Sequence, residues 1–280
     1  MGSEALAAGT VTRQDLRRRY VKLHHNVYAP TGVALTARDR AYAAWLWSGR
    51  SATLAGLSAA AMHGSRWLPD DQPAELTRVR SGNASGIHVH REALLDDEVC
   101  LVQSIDCTTP ARTVFDVGRR IPGDEAIIRI DALLNATRVP ATGVATVAAR
   151  HPGARGIRRL REVLALVDGG AESPQETRVR LLLVRAGAPV PQTQIPVRND
   201  AGRVVRRIDM GWPDYCVGVE YDGEHHWTDR SAHAEDIARL DFLSERGWII
   251  VRVSARHLRD GAEIWRRVEQ ALRRRGWSGR

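Results

Sequence analysis

With 280 residues, 43% of them hydrophobic and 26% charged, the chain has the size and composition of a globular protein with room for two domains, each with its own core. Its formal net charge is +8 and its pI is near 10.2, and Lys22 is the only lysine among 41 basic residues. Arginine pairs with phosphate through a rigid fork, so the balance suits nucleic acid or another polyanion as partner, although GC-rich coding also favours arginine over lysine. Cys100, Cys107 and Cys216 are odd in number and form no C-x-x-C pair, which argues against a disulfide framework or a zinc knuckle. No apolar run approaches the roughly 20 residues of a membrane span, and no signal-peptide pattern opens the chain. A cytoplasmic protein without a membrane or small-molecule partner is expected.

Residues 1–70 read as a small DNA-binding module. Thr12-Arg13-Gln14-Asp15 sets a helix start, with Thr12 as cap and an acid three residues on. The helix carries Arg13, Arg17, Arg18 and Arg19, and a strand-like run from Val21 to Tyr28, including Lys22, ends at Pro30. A short helix, a basic helix and a following β-ribbon make a winged helix-turn-helix pattern, with Arg13, Arg17, Arg18 and Lys22 as candidate DNA contacts. Residues 37–64 predict two helices, the second alanine-rich.

A mixed, mainly helical region is expected over 71–168. Strand candidates fall at Glu75–Val79, Ile87–His90 and Val99–Gln103, and helices resume from Pro110 to about Val167. Arg112 and Asp116, four apart, are placed to pair on one helix face. Asp168-Gly169-Gly170 is the clearest linker signal.

Over 171–280 the order changes. Ser173-Pro174-Gln175-Glu176 opens a helix to Gly187, and strands follow near Thr193–Val197, Val204–Met210 and Tyr215–Tyr221. A helix from about Arg230 to Arg246 stops at Gly247, Trp248–Val253 reads as a buried strand, and an Arg-rich helix ends the chain. The order α-β-β-β-α-β-α predicts an α/β (α+β) domain with a central mixed sheet flanked by helices.

That sheet gathers acids. Side chains alternate along a strand, so Glu220 and Asp222 share one face, with Val219 and Tyr221 on the other. Asp209 lies on the preceding strand, joined by a turn at Pro213-Asp214, and its carboxylate is placed to converge with that of Glu220. Such hard oxygen ligands suit Mg²⁺ or Mn²⁺, which activates water and offsets charge on phosphate oxygens. Each residue also has a plainer explanation. Glu176 completes a helix cap, Asp222-Gly223 is a turn signal, and His225-His226 is a pair that a solvated loop would carry. Asp236 and Arg239, three apart, are most simply a helix salt bridge.

The second half resembles the endonuclease-like domain related to very-short-patch repair endonucleases, within the PD-(D/E)XK superfamily. The residues that carry the likeness are Ser173-Pro174-x-Glu176, Arg207-x-Asp209, Val219-Glu220-Tyr221-Asp222-Gly223-x-x-His226, Asp236-x-x-Arg239 and Gly247-Trp248-x-x-x-Arg252. The resemblance implies a restriction-endonuclease-like sheet, Asp209 and Glu220 as metal ligands, and Glu176 as an auxiliary acid. It also implies products with a 5′-phosphate and a 3′-hydroxyl. Asp222 stands where the superfamily motif carries lysine. The resemblance leaves His225 or His226 to assist as base or ligand, and Arg239 or Arg252 to supply the missing positive charge.

The first part resembles the winged-helix antitoxin proteins of abortive-infection type IV toxin–antitoxin systems, through Val11-Thr12-Arg13, Asn26-Val27-Tyr28, Leu57–Gly64 and Thr109–Asp116. This implies DNA binding, and leaves a toxin partner or a homodimer open. Two functions are therefore expected to compete: a metal-dependent DNA endonuclease with Glu176, Asp209, Glu220, Asp222 and His226 at its centre, and a non-catalytic DNA-binding regulator with a degenerate nuclease domain. A nuclease acting on RNA is a third.

Overall fold

The computed structural model describes residues 1–78, 82, 84–223 and 230–279, with the backbone alone over 230–237. The protein is α+β and divides into two compact units, Met1–Gly169 and Gly170–Arg280.

The first unit opens with α1 (Gly2–Ala7), α2 (Arg13–Arg19) and the antiparallel hairpin β1 (Tyr20–His24) and β2 (Val27–Pro30). Thr12 caps α2: its Oγ1 accepts the Asp15 amide at 3.0 Å, and Asp15 accepts the Thr12 amide at 3.0 Å. Asn26, in left-handed backbone at φ 60°, closes the hairpin that the sequence read as one strand-like run. Then follow α3 (Ala37–Trp47), β3 (Thr53–Leu54), α4 (Gly56–Met62), β4 (Ala74–Thr77), β5 (Ile87–His90), β6 (Val99–Val102) and β7 (Ile105–Thr108). The helices α5 (Pro110–Arg120), α6 (Gly123–Thr137), α7 (Thr142–Arg150) and α8 (Ile157–Leu164) complete the unit.

The strands β3 to β7 form one sheet in the order β5-β4-β3-β7-β6. Leu54, Leu76, Ile87 and Cys107 of this sheet pack with Ala41 and Ala44 of α3 and Ala59 and Met62 of α4. Each fully buried leucine here contributes about 2 kcal/mol. This sheet draws on both sides of the expected boundary at residue 70, because β3, from the first 70 residues, is the central strand between β4 and β7. The strands β3 and β7 were not expected from the sequence.

The second unit runs α9 (Pro174–Arg185), β8 (Gln192–Arg198), β9 (Val204–Trp212), β10 (Val217–Asp222), α10 (Arg230–Glu245), β11 (Ile249–Ser254) and α11 (Gly261–Arg274). The strand order is β11-β10-β9-β8, with β10 and β11 parallel and the other pairs antiparallel, a mixed sheet as expected. Tyr215 is not in the strand: Pro213–Tyr215 form a single 3₁₀ turn, and Cys216 at φ 48° turns the chain into β10. On one face, Met210, Val219 and Val251 meet Val179 and Leu183 of α9 and Val268 and Leu272 of α11. On the other, Ile195, Val197 and Ile208 meet Phe242 and Leu243 of α10. Among the described residues, no helix is long and apolar enough to cross a membrane.

Candidate functional site

The register of the second sheet draws four polar residues into one row. Val219 pairs with Met210, so one step further along the antiparallel ladder Glu220 stands opposite Asp209. The parallel ladder sets Arg252 beside Glu220. On the outer side, Thr193 pairs with Met210 and Ile195 with Ile208, which leaves Gln194 opposite Asp209. The row across the sheet is Gln194, Asp209, Glu220, Arg252.

The strands are irregular at this row. Ile208 and Met210 are two apart on β9 and would ordinarily share a face, yet Ile208 packs against α10 and Met210 against α9. The alternation breaks at Asp209, beside Gln194 with its φ of 51°. Such a break re-aims a side chain out of the pleat. The Asp209 carboxylate accepts the Tyr221 amide at 2.8 Å and so substitutes for a ladder bond. Gly218 makes room beside the row, since a Cβ there would lie 2.7 Å from Ile208 Cγ2.

Glu176 reaches the row from the first turn of α9. Ser173 caps that helix, accepting the Glu176 amide at 3.2 Å, and its hydroxyl donates to Glu176 Oε1 at 2.8 Å. The other oxygen, Oε2, accepts the Glu172 amide at 2.9 Å and Gln194 Nε2 at 3.3 Å. The cap and the site are therefore one arrangement. Glu220 Oε1 accepts Arg239 Nη2 at 2.6 Å. Asp222 accepts Arg252 Nη2 at 2.5 Å, so an arginine lies against this acid. Arg239 forms an ion pair across from α10 to Glu220 of β10. Nothing is described of the Asp236 side chain, and His225 and His226 lie outside the described residues.

The acids crowd one another in low-dielectric surroundings. Glu176 and Glu220 are 8% and 5% exposed. Burial, with the neighbouring Asp209 carboxylate adding to it, pushes Glu176 up to about 7. Glu220 is likewise pushed up to about 7, chiefly by burial, because the opposing attraction of Arg239 does not repay the lost solvation. Asp209 is raised by burial, against the Tyr221 amide and Arg239, with Glu172 adding repulsion. The sequence did not single out Glu172 or Gln194. The signals available for them were an acid directly before the Ser-Pro cap and a glutamine inside a strand.

Among the described residues, no three His, Cys, Asp or Glu side chains are grouped to ligate a metal together. Mg²⁺ needs less than that: one or two carboxylates, with waters and substrate phosphate completing the shell. Asp209 Oδ1 and Glu220 Oε2 have no hydrogen-bond partner among the described residues. Two hard oxygen donors in a crowd of like charge fit such an ion. In the first unit, Arg13, Arg17 and Arg18 of α2 and Lys22 of β1 are all exposed.

No protein-family profile and no solved structure matches the chain. Two curated proteins do, Uncharacterized protein MT2308 of Mycobacterium tuberculosis strain CDC 1551 / Oshkosh and Uncharacterized protein Rv2248 of strain H37Rv. Each is 33% identical over 146 residues, which is 52% of this chain and 54% of the relative. The chain thus spans about half the length of the curated relatives it matches.

Proposed function

We propose that this chain is a cytoplasmic, metal-dependent endonuclease-like protein that hydrolyses DNA phosphodiester bonds, with a winged-helix-like module over its first residues binding DNA. The observation that carries the reading is the buried acid row: Asp209 and Glu220 opposite one another, with Glu176 bonded into the same row through Gln194. Buried carboxylates whose ionisation is opposed by burial and like charge are candidates for a functional site. A Mg²⁺ or Mn²⁺ ion held by Asp209 and Glu220 would supply an activated water and offset charge on the phosphate oxygens.

The chain's own groups set the rest. The Tyr221 amide fixes the orientation of Asp209, and Arg239 fixes Glu220 while bringing positive charge to the row. Glu176, raised to about 7, can hold or release a proton near neutral pH. The test is incubation of the full chain with supercoiled, linear and mismatched DNA in Mg²⁺ or Mn²⁺. Nicking or cleavage that disappears in Asp209→Ala is expected. Intact DNA with wild type and variant alike sinks the proposal.

A second reading, a non-catalytic DNA-binding regulator, draws on the two ion pairs Arg239–Glu220 and Arg252–Asp222, which already engage two of the acids. It predicts sequence-specific, salt-sensitive DNA binding by the first unit with no metal requirement. Specific binding that requires residues 171–280 excludes it.

A further inference from the structure

The first unit carries a cleft of about 880 Å³ in which the acid row has no part. One side presents Glu75, His88 and His90 of β4 and β5. The end of α5 and the start of α8 bring Arg119, Arg120, Arg155 and Arg159. The volume lies within the range of small-molecule sites, roughly 300–1,000 Å³.

Charges in this cleft are unevenly matched. Glu75 accepts the Leu57 amide at 2.9 Å and lies 2.8 Å from His90 Nε2. Glu92 is bonded by Arg119, by Arg120 at 3.1 Å and by Arg112 at 3.3 Å. Glu125 pairs with Arg129. Every carboxylate that lines the cleft therefore has a cationic or histidine partner. The arginines do not all have the converse. Arg155 makes no side-chain hydrogen bond or ion pair among the described residues, and Arg159 Nη1 donates only to the Arg119 and Arg120 carbonyls, at 3.3 Å each. Arg120 pairs through Nη2 with Glu92 at 3.1 Å and Asp116 at 3.2 Å, while its Nη1 is buried with no hydrogen-bond acceptor, 3.9 Å from Glu75 Oε2. A buried donor left this way needs an explanation, which a bound acceptor would supply.

The start of α8 adds to the positive side. Its N-cap, Gly156, offers no side-chain cap to the first amides and itself lines the cleft. Gly156 sits at φ 90°, and a Cβ there would lie 2.2 Å from the Arg119 carbonyl oxygen. Only glycine permits α8 to approach the end of α5 this closely, and that approach assembles the arginines.

We propose that this cleft binds a phosphate-bearing small ligand of nucleotide size. The phosphate is held by Arg155, Arg159, Arg120 Nη1 and the Arg158 and Arg159 amides at the start of α8. On the other wall His90, with Nε2 engaged by Glu75, offers Nδ1 to a hydroxyl or ring group of the ligand. Duplex backbone is better served by the exposed arginines of α2 than by a concave site with acids in its wall. The proposal is independent of the acid row and requires no metal.

The test is calorimetric titration of the full chain, at fixed ionic strength and without divalent ions, with inorganic phosphate, adenosine 5′-monophosphate, adenosine and acetate. Phosphate and the monophosphate are expected to bind, the monophosphate more tightly, and adenosine and acetate are not. Arg155→Gln, at a side chain with no partner to lose, should weaken both by about tenfold. Arg266→Gln, on the exposed face of α11, should leave both unchanged. The proposal is overturned if neither phosphate compound binds at about 10 mM, if Arg155→Gln leaves affinity unaltered, or if acetate binds as well as phosphate. Loss of duplex DNA affinity in Arg155→Gln without phosphate binding also overturns it, and assigns the arginines to nucleic-acid backbone.

Discussion

Asp209 and Glu220 stand opposite one another on β9 and β10, yet Asp209 bonds past its neighbour, taking the Tyr221 amide at 2.8 Å into its carboxylate. The bond fixes Asp209 in a place where burial and like charge both oppose its ionisation. The arrangement costs stability, and that cost is what a divalent cation would relieve. Asp209→Asn and Glu220→Gln should therefore keep or raise the melting temperature of the metal-free chain, by the equivalent of about 1 kcal/mol. Both should lose the added stabilisation that Mn²⁺ gives the wild type. A melting temperature that Mn²⁺ raises equally in wild type and both variants would show that the ion binds elsewhere.

Arg239 contributes the cation nearest to Glu220, at 2.6 Å, and is itself partly exposed. Removing it leaves a buried carboxylate without its partner, so Arg239→Ala should destabilise the chain by about 1–3 kcal/mol, the lower part of this range reflecting solvent access to the arginine. Arg239→Lys restores charge without the planar fork and should recover part of that loss. If Arg239 also serves cleavage, the alanine variant should fall in rate by more than its stability explains, measured at a temperature where it is fully folded. Equal rates for wild type and Arg239→Ala would reduce Arg239 to a structural role.

Much of the second sheet was legible because its strands are apolar, alternate in pattern and are separated by strong turn signals. The two acids on adjacent strands were legible for the same reason. What stayed hidden has local causes. The strand β7 follows a turn at Gln103 and Ser104, with φ of 52° and 64°, a conformation usually announced by Asn-Gly or Gly-Gly and here built from residues that announce nothing. The two-residue β3 is too short for any period to show. The break in alternation at Asp209 depends on Gln194 adopting left-handed backbone, which tertiary packing imposes and no residue type signals. The ion pair from Arg239 to Glu220 spans 19 positions, so only the fold could bring the two together.

The first unit holds its own buried charge network. Arg112, 1% exposed, bonds Glu98 and, at 3.1 Å, Asp116, which are 0% and 1% exposed. Arg112→Met takes one cation from two buried carboxylates that keep Arg119 and His151 as partners, and should cost about 1–3 kcal/mol, read by chemical denaturation. A pH dependence follows from Glu98. Burial pushes its carboxyl up, but the His151 hydrogen bond and Arg112 outweigh that and hold it below the ordinary value of 4.5. A depressed carboxyl stabilises the fold above its unfolded value and loses that contribution as pH falls through the folded value. Stability should therefore decline on acidification below about pH 4.5, and Glu98→Gln should flatten the decline. An unchanged slope in Glu98→Gln would assign acid sensitivity to other groups.

The DNA binding proposed for the first unit has a readout separate from specificity. Arg17 and Arg18 are exposed on α2, whereas Arg19 lies 3.8 Å from Asp15 and is partly matched. Each arginine that contacts a phosphate releases counterions, so the slope of log affinity against log salt falls by about 0.9 for each contact removed. Arg17→Gln with Arg18→Gln should flatten the slope by about 2, measured by fluorescence anisotropy on a duplex across a salt series. Arg19→Gln should change it less, because Asp15 already offsets that charge. The paired substitution is expected to weaken binding to all duplexes alike, since backbone contacts carry no sequence information. A slope that survives in Arg17→Gln with Arg18→Gln, and in the further change of Arg13 and Lys22, would place the DNA surface elsewhere on the chain.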